Sequence, residues 1–112
     1  AYLRKYAELL GMNRLAFRLT AQRANEENKS GTPGASTSIF KLFGAALQQD
    51  GAELKREIMG FKGLGATDGE GFSTEELTAT EEWLHTKATT IYGGSNEIQA
   101  NIISKRVLGL PD

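Results

Sequence analysis

Two adjacent glycines, Gly93 and Gly94, lie directly before a serine and a short polar run near the carboxyl end of the chain. Glycine adopts positive φ readily and lets the backbone approach a ligand closely, because it has no Cβ atom. Ser95 has the side chain of a helix N-cap, and Glu97 falls in the first turn, where a carboxylate suits the helix dipole. The N–H groups at a helix start can also bind an anionic ligand. The pattern therefore predicts either a ligand-binding corner or a well-capped helix after a tight turn.

The helix that follows this turn is predicted over Asn96 to Leu108. Its apolar positions recur at helical spacing and are Ile98, Ile102, Ile103 and Val107. Lys105 and Arg106 suit the last turn, Gly109 follows as a stop, and Pro111 prevents the helix from resuming.

Three further helices are predicted upstream. The first extends from Tyr2 to about Asn28 and ends in the Gly- and Pro-containing segment 28–34. The second starts near Ser36, and its apolar stripe consists of Ile39, Phe43, Leu47, Leu54 and Ile58. Gly44 and Gly51 interrupt that helix, and close packing against a neighbour is the expected reason.

The third helix starts at one of two overlapping capping boxes, Ser73-x-x-Glu76 or Thr78-x-x-Glu81, and carries Leu77, Trp83 and Leu84. A flexible glycine-rich loop is expected before it, over 60–71, and an extended turn after it, over 89–92. Four helices joined by turns and one longer loop predict an all-α fold, an antiparallel four-helix bundle that forms a single domain over 1–112.

Composition excludes several classes of function. The net charge of −1 gives no electrostatic footprint for nucleic acid. With no cysteine and a single histidine, His85, neither a disulfide nor a thiolate or histidine-cluster metal site is expected. No apolar run has the length of a membrane span and the start of the chain lacks a signal-peptide pattern, so a cytoplasmic protein is predicted.

The string from Ile91 through Tyr-Gly-Gly-Ser-Asn-Glu-Ile to Gln99, continued by the Lys-Arg-Val-Leu-Gly-Leu-Pro run that ends at Pro111, resembles the C-terminal signature of the acyl-CoA dehydrogenase superfamily. The rest of the chain resembles that family more loosely, chiefly in its order of helices and in the stretch from Ser38 to Lys41. The resemblance implies a C-terminal helical bundle, with 1–112 as a fragment of a longer three-domain flavoprotein. It also implies FAD as cofactor in the full-length assembly.

The family reaction removes a proton from Cα of an acyl-CoA thioester while Cβ delivers a hydride to the flavin. Many members place the glutamate base at the position of Gly93, and glycine offers no titratable group. The resemblance still implies that the backbone N–H of Gly93 donates to the thioester carbonyl. It assigns FAD contacts to Ser95, Asn96 and Glu97, with Gln99 a weaker candidate, and substrate contacts to Tyr92 and Gly94. Capping alone is the alternative for Ser95 and Glu97, and core packing is the preferred alternative for Tyr92.

Three explanations remain for the missing base: a glutamate upstream in the chain, a glutamate on a second subunit, or lost chemistry. The family's Gln-x-x-Gly-Gly pattern is also missing around Met59 to Gly65, which puts an inter-subunit flavin contact there in doubt. The partners implied are an acyl-CoA substrate, an electron acceptor such as an electron-transfer flavoprotein, and other subunits in a homo- or hetero-oligomer. A non-catalytic assembly module and a flavin-dependent oxidase relative are the alternative functions.

Overall fold

The computed structural model describes residues 1–30, 36–66 and 71–111. Its four α-helices are α1 (Tyr2–Ser30), α2 (Ser36–Met59), α3 (Thr74–Thr86) and α4 (Asn96–Ile102). Two 3-10 turns, Gly60–Leu64 and Lys87–Thr90, follow α2 and α3, and a π-helical turn, Ile103–Val107, extends α4. No strand occurs in these described ranges, so the predicted all-α fold is confirmed.

Helix α2 is the centre of the bundle, because α1, α3 and α4 all pack against it. The directions of the helices follow from the residues that meet: Lys5 pairs with Glu57 at 3.0 Å, Lys55 pairs with Glu82 at 2.9 Å, and the Gln49 amide donates to the Thr86 carbonyl at 3.0 Å. The beginning of α1 thus meets the end of α2, and α3 runs back along α2. These contacts confirm the antiparallel bundle. None of the described helices has the length and apolar character that crossing a bilayer requires.

Among the residues whose burial the structure describes, the apolar core is small and consists of Ala45, Leu47, Leu54 and Ala79. The predicted apolar stripe of α2 is therefore only partly right, since Ile39, Phe43 and Ile58 are exposed. Leu47 and Leu54 of the same stripe are buried, so the neighbouring helices cover the middle of the stripe and leave its two ends exposed. The explanation for Gly44 and Gly51 was also wrong, because a Cβ atom at either position would have no neighbour within 4 Å.

The start of α3 is set by the first of the two predicted capping boxes. The Ser73 hydroxyl accepts from the Glu76 N–H at 3.3 Å, and the Glu76 carboxylate accepts from the Ser73 N–H at 2.8 Å. Thr78 lies inside the helix instead, where its hydroxyl donates to the Thr74 carbonyl at 2.8 Å. Ser73 is the N-cap of α3 because both reciprocal hydrogen bonds of its capping box form.

The flexible loop predicted over 60–71 is wrong for its first part. Gly60 has a φ of 57°, which ends α2, and the 3-10 turn then packs back onto the bundle. Gly63 is buried, and its carbonyl accepts from Arg56 Nε at 2.9 Å and from the Thr80 hydroxyl at 3.2 Å. A Cβ at Gly65 would lie 2.5 Å from the Phe72 ring, so two of these glycines serve packing. Residues 67–70 of this segment, and 31–35 of the turn predicted after α1, lie outside the described residues.

The extended turn predicted over 89–92 is also wrong, because helical structure continues through Thr90. The threonine hydroxyls stabilise it, since each donates to a carbonyl three residues earlier: Thr86 to Trp83 at 2.7 Å, Thr89 to Thr86 at 2.6 Å and Thr90 to Lys87 at 3.0 Å. The chain thereby reaches the glycine pair from a well-anchored helical segment.

Candidate functional site

The glycine pair forms the turn that the sequence predicts. Gly93 has a φ of 67° and Gly94 a φ of 95°, both in the region that favours glycine. Ser95 is the N-cap of α4, and its hydroxyl accepts from the Ile98 N–H at 3.4 Å. We call residues 92–95 the signature turn.

Two side chains from outside the signature turn hold its carbonyl groups. The Lys41 ammonium, from the second turn of α2, donates to the Gly94 carbonyl at 2.6 Å. The buried Gln99 amide, from α4, donates to the Gly93 carbonyl at 2.9 Å. A Cβ atom at Gly94 would lie 2.5 Å from Gln99 Nε2, whereas a Cβ at Gly93 would meet only Lys41 Cε at 3.9 Å. Gly94 is thus enclosed, and Gly93 has an open side.

The residues predicted to contact ligands lie together around the signature turn. Gly93 and Glu97 are exposed, and Gly94, Ser95 and Asn96 are half-buried. The hydrogen bond from its own backbone N–H, followed by that from the Ser95 hydroxyl, holds the pKa of the Glu97 carboxyl below its ordinary value. Glu97 therefore at least stabilises the N-terminal end of α4.

The side chains of Asn96 and Tyr92 differ in burial: an oxygen of Asn96 is buried, whereas Tyr92 is exposed. Asn96 Oδ1 is buried and accepts no hydrogen bond from the part of the chain that the structure describes. Buried polar atoms are nearly always paired, so this oxygen is available to a ligand. Tyr92 is 55% exposed, and the preferred expectation that it fills the core was wrong.

Residues 3–108 match the family model described as acyl-CoA dehydrogenase, C-terminal domain. The chain belongs to this family. Acyl-CoA dehydrogenase IpdE1 of Mycobacterium tuberculosis (strain ATCC 25618 / H37Rv) is 45% identical to this domain over 74 residues, which cover 66% of the chain and 18% of that protein. The protein of the same name from Mycolicibacterium smegmatis (strain ATCC 700084 / mc(2)155) is 42% identical, with the same coverage.

Acyl-CoA dehydrogenase FadE34 of M. tuberculosis is 35% identical over 79 residues, 70% of this chain and 10% of that protein. This acyl-CoA dehydrogenase domain thus spans less than a fifth of the length of the curated relatives it matches. No solved structure matches it significantly. The predicted superfamily and its C-terminal helical domain are confirmed.

Sequence reasoning missed the role of Lys41 in this acyl-CoA dehydrogenase domain. The signal was a single lysine between apolar residues, in the run from Ile39 to Phe43. A cation at that place on a packed helix needs an acceptor, and the Gly94 carbonyl supplies it.

Lys41 belongs to a row of polar residues on α2 that we call the polar face: Lys41, Gln49, Glu53 and Arg56. At 3.6 residues per turn they lie within about 120° of the helix circumference. Each contacts a segment C-terminal to α2 in the chain: the signature turn, the end of α3, Trp83 and the first 3-10 turn, respectively. In this acyl-CoA dehydrogenase domain, α2 therefore makes polar contacts both with the signature turn and with the segments that precede the turn in the chain.

Trp83 is the anchor of α3 on the polar face. Its indole N–H donates to the Glu53 carboxylate, with Arg56 Cζ 3.8 Å and Lys87 Nζ 4.6 Å from the ring centroid. This indole hydrogen bond is the largest cause that holds the pKa of the Glu53 carboxyl below its ordinary value, with the Lys87 and Arg56 charges adding to it. The sequence predicted Trp83 as an apolar residue of α3, and in the structure it is half-buried and makes polar and cationic contacts as well.

Proposed function

We propose that this domain is the C-terminal part of an FAD-dependent enzyme that dehydrogenates an acyl-CoA thioester between Cα and Cβ, with residues 1–112 as the last domain of a longer three-domain chain. The observation that carries the proposal is the signature turn. Its backbone is fixed by Lys41 and Gln99, and Gly93 remains exposed with an open side. A rigid backbone beside open space is what a ligand-binding corner requires.

The residues at the start of α4 fit a flavin cofactor. The unpaired Asn96 oxygen is buried and needs a hydrogen-bond donor, and the Ser95 and Glu97 side chains flank it. FAD carries hydroxyl and amino groups that can donate to such an oxygen. In this proposal Ser95, Asn96 and Glu97 hold FAD, which supplies the acceptor for the hydride that leaves Cβ. An electron-transfer flavoprotein is the proposed acceptor of the electrons afterwards.

The backbone of the signature turn acts on the thioester. We assign to the Gly93 N–H a hydrogen bond to the thioester carbonyl, which stabilises the enolate oxygen that develops as the Cα proton leaves. Tyr92 and Gly94 line the substrate beside it. One preorganised donor of this kind contributes a factor of about 10² to 10³ in rate. The proton goes to a glutamate outside this chain, either upstream or on a second subunit, because Gly93 has no side chain to accept it.

Flavin content tests the proposal. The protein that carries this domain is coexpressed with any adjacent homologue and purified, and its visible absorbance is recorded before and after saturated acyl-CoA thioesters of several chain lengths are added. Bound FAD whose absorbance bleaches with one thioester supports the proposal. A preparation that neither contains nor takes up FAD would refute it.

The variant Gly93→Glu separates a missing base from a missing site. A side chain at 93 meets only Lys41 Cε, so the cost of the variant is mainly that of a positive φ. Gly93→Ala has the same backbone cost without the carboxylate and is the matched control. Thioester-dependent bleaching that Gly93→Glu gains and Gly93→Ala does not would show a competent site that lacks only its proton acceptor.

An assembly role is the second candidate, and the exposed apolar surface favours it. Leu3 and Phe17 of α1 are 85% and 75% exposed, and most other large apolar side chains of that helix are exposed as well. Exposed apolar side chains that lie together mark interaction surfaces in many proteins. If the protein forms a stable homo- or hetero-oligomer but takes up no FAD, the assembly function is retained and the enzymatic one is not.

A further inference from the structure

The hydrogen bond from Lys41 ties the start of α2 to the signature turn, 53 residues further along the chain. The Nζ to oxygen distance of 2.6 Å is short, as expected when the donor is charged. Within the described residues no carboxylate lies within 4.0 Å of this ammonium, although Lys5, Lys55, Lys62 and Lys87 each pair with a glutamate. The Gly94 carbonyl is therefore its principal partner.

The consequence of this hydrogen bond follows from the planarity of the peptide unit. In a trans peptide the C=O and the next N–H point in opposite directions. The hydrogen bond from Lys41 to the Gly94 carbonyl therefore directs the Ser95 N–H away from Lys41 and α2. In the same way, the hydrogen bond from Gln99 to the Gly93 carbonyl directs the Gly94 N–H away from the Gln99 side chain. Two successive glycines would otherwise leave these peptide planes free to rotate, because neither has a Cβ to restrict it.

We propose that Lys41 is a positioning residue for the signature turn. By holding the Gly94 carbonyl from α2, it fixes the peptide plane between Gly94 and Ser95, directly before the residues to which the FAD contacts are assigned. It touches neither the flavin nor the thioester in this role, and it acts only through the backbone of residues 93–95. Its functional consequence rests on the proposed flavin and thioester site, but its effect on the turn does not.

The test compares two lysine variants of the same helix. Lys41→Met removes the ammonium and keeps most of the side-chain length, and Lys55→Met is the matched control, because Lys55 pairs with Glu82 on α3, away from the signature turn. Amide hydrogen exchange of the full 112-residue chain is followed by mass spectrometry. We expect exchange in the peptide that covers 93–98 to be about tenfold faster or more in Lys41→Met, and unchanged in Lys55→Met. Peptides from the middle of α2 report global opening and must not change in step.

Lys41→Arg is the second variant, because an arginine still donates to a carbonyl and should restore a large part of the protection. Equal exchange over 93–98 in Lys41→Met and Lys55→Met would overturn the proposal. So would a failure of arginine to protect better than methionine. If Lys41→Met opens globally, exchange over 93–98 in Lys41→Arg is compared with that of the wild type instead, because arginine keeps the charge and most of the packing.

A second readout connects the turn to the cofactor, with FAD itself as the probe. Flavin fluorescence of the protein that carries this domain is titrated for the wild type, Lys41→Met and Lys55→Met. We expect Lys41→Met alone to weaken FAD binding, by about tenfold or more. If the wild type takes up no FAD, the proposed function fails while the exchange data still decide the role of Lys41. Normal FAD affinity in a Lys41→Met protein with a loosened turn would show that the positioning has no consequence for the cofactor.

Discussion

The two glycines of the signature turn differ in what a methyl group would meet, and alanine substitution measures that difference. Gly93→Ala places a Cβ in ordinary contact with Lys41 Cε at 3.9 Å, so its cost is that of an L residue at positive φ, about 1–2 kcal/mol. Gly94→Ala has a backbone cost of the same kind, at a φ of 95°, and also places its Cβ 2.5 Å from Gln99 Nε2. The buried amide must then move and leave the Gly93 carbonyl, which adds about 1–3 kcal/mol. We expect Gly94→Ala to be the more destabilising of the two by that amount.

A double-mutant cycle with Gln99→Ala isolates the clash. Removal of the Gln99 side chain removes the atom that the Gly94 methyl would strike, so Gly94→Ala in that background should cost only about 1–2 kcal/mol. The coupling free energy is then about 1–3 kcal/mol, and Gly93→Ala, whose Cβ does not face the amide, should show little coupling. Urea unfolding of the 112-residue chain, followed by circular dichroism, gives each free energy of unfolding.

Two results would refute this reasoning. If Gly94→Ala is no more destabilising than Gly93→Ala, the enclosure of Gly94 by Gln99 is not part of the native turn. If the excess cost of Gly94→Ala persists in the Gln99→Ala background, the cost comes from the backbone and the amide contact is incidental.

Four further predictions concern the helices that support the site. Ser73→Ala should lower the free energy of unfolding by about 1 kcal/mol in urea titrations, since it removes the N-cap of α3, and Ser73→Asp should retain most of it. Gly51→Ala should raise the free energy of unfolding by about 0.5–1 kcal/mol, because the added methyl meets nothing within 4 Å and alanine favours the helix. An unchanged free energy of unfolding would show that another surface approaches this position. The folded-state pKa values of Glu53, Glu76 and Glu97 all lie below the ordinary value of 4.5, so these carboxylates stabilise the fold above about pH 4.5 and the contribution is lost as pH falls through the lower folded values. The midpoint of thermal unfolding should therefore fall with acidification below pH 4.5, and a flat profile there would contradict the hydrogen bonds. The 112-residue chain should self-associate through its exposed apolar faces, and a monomer by light scattering over a wide concentration range would argue against this.

The elements that the sequence predicts correctly are those set by neighbours in the chain. The start of α3 at one of two capping boxes, the cap of α4 at Ser95 and the positive φ at Gly93, Gly94 and Gly109 all depend on residues within one helical turn. Local hydrogen bonds and glycine conformations have recognisable sequence patterns, so they can be read from the chain directly.

The features that the sequence did not predict depend on contacts between distant residues. The burial of Gly63 could not be predicted from its neighbours in the chain, because its carbonyl accepts hydrogen bonds from Arg56 on α2 and Thr80 on α3. Exposure of Ile39 and Ile58 depends on which part of α2 the other helices cover, which periodicity does not indicate. Lys41 is the main case at the site, because a lysine among apolar residues predicts a partner without identifying it.

The polar face of α2 suggests why the signature turn can be precise within so small an apolar core. Apolar contacts are not directional, so the few apolar side chains that are buried in the described part of the chain cannot by themselves fix the orientation of a peptide plane. Hydrogen bonds from Lys41, Gln49 and Arg56 to backbone carbonyls are directional, and each fixes one segment that leads toward α4. The bundle therefore positions its turn by polar contacts, from Gln99 of α4 and from the polar face of α2, and changes on that face should loosen the turn before they unfold the domain.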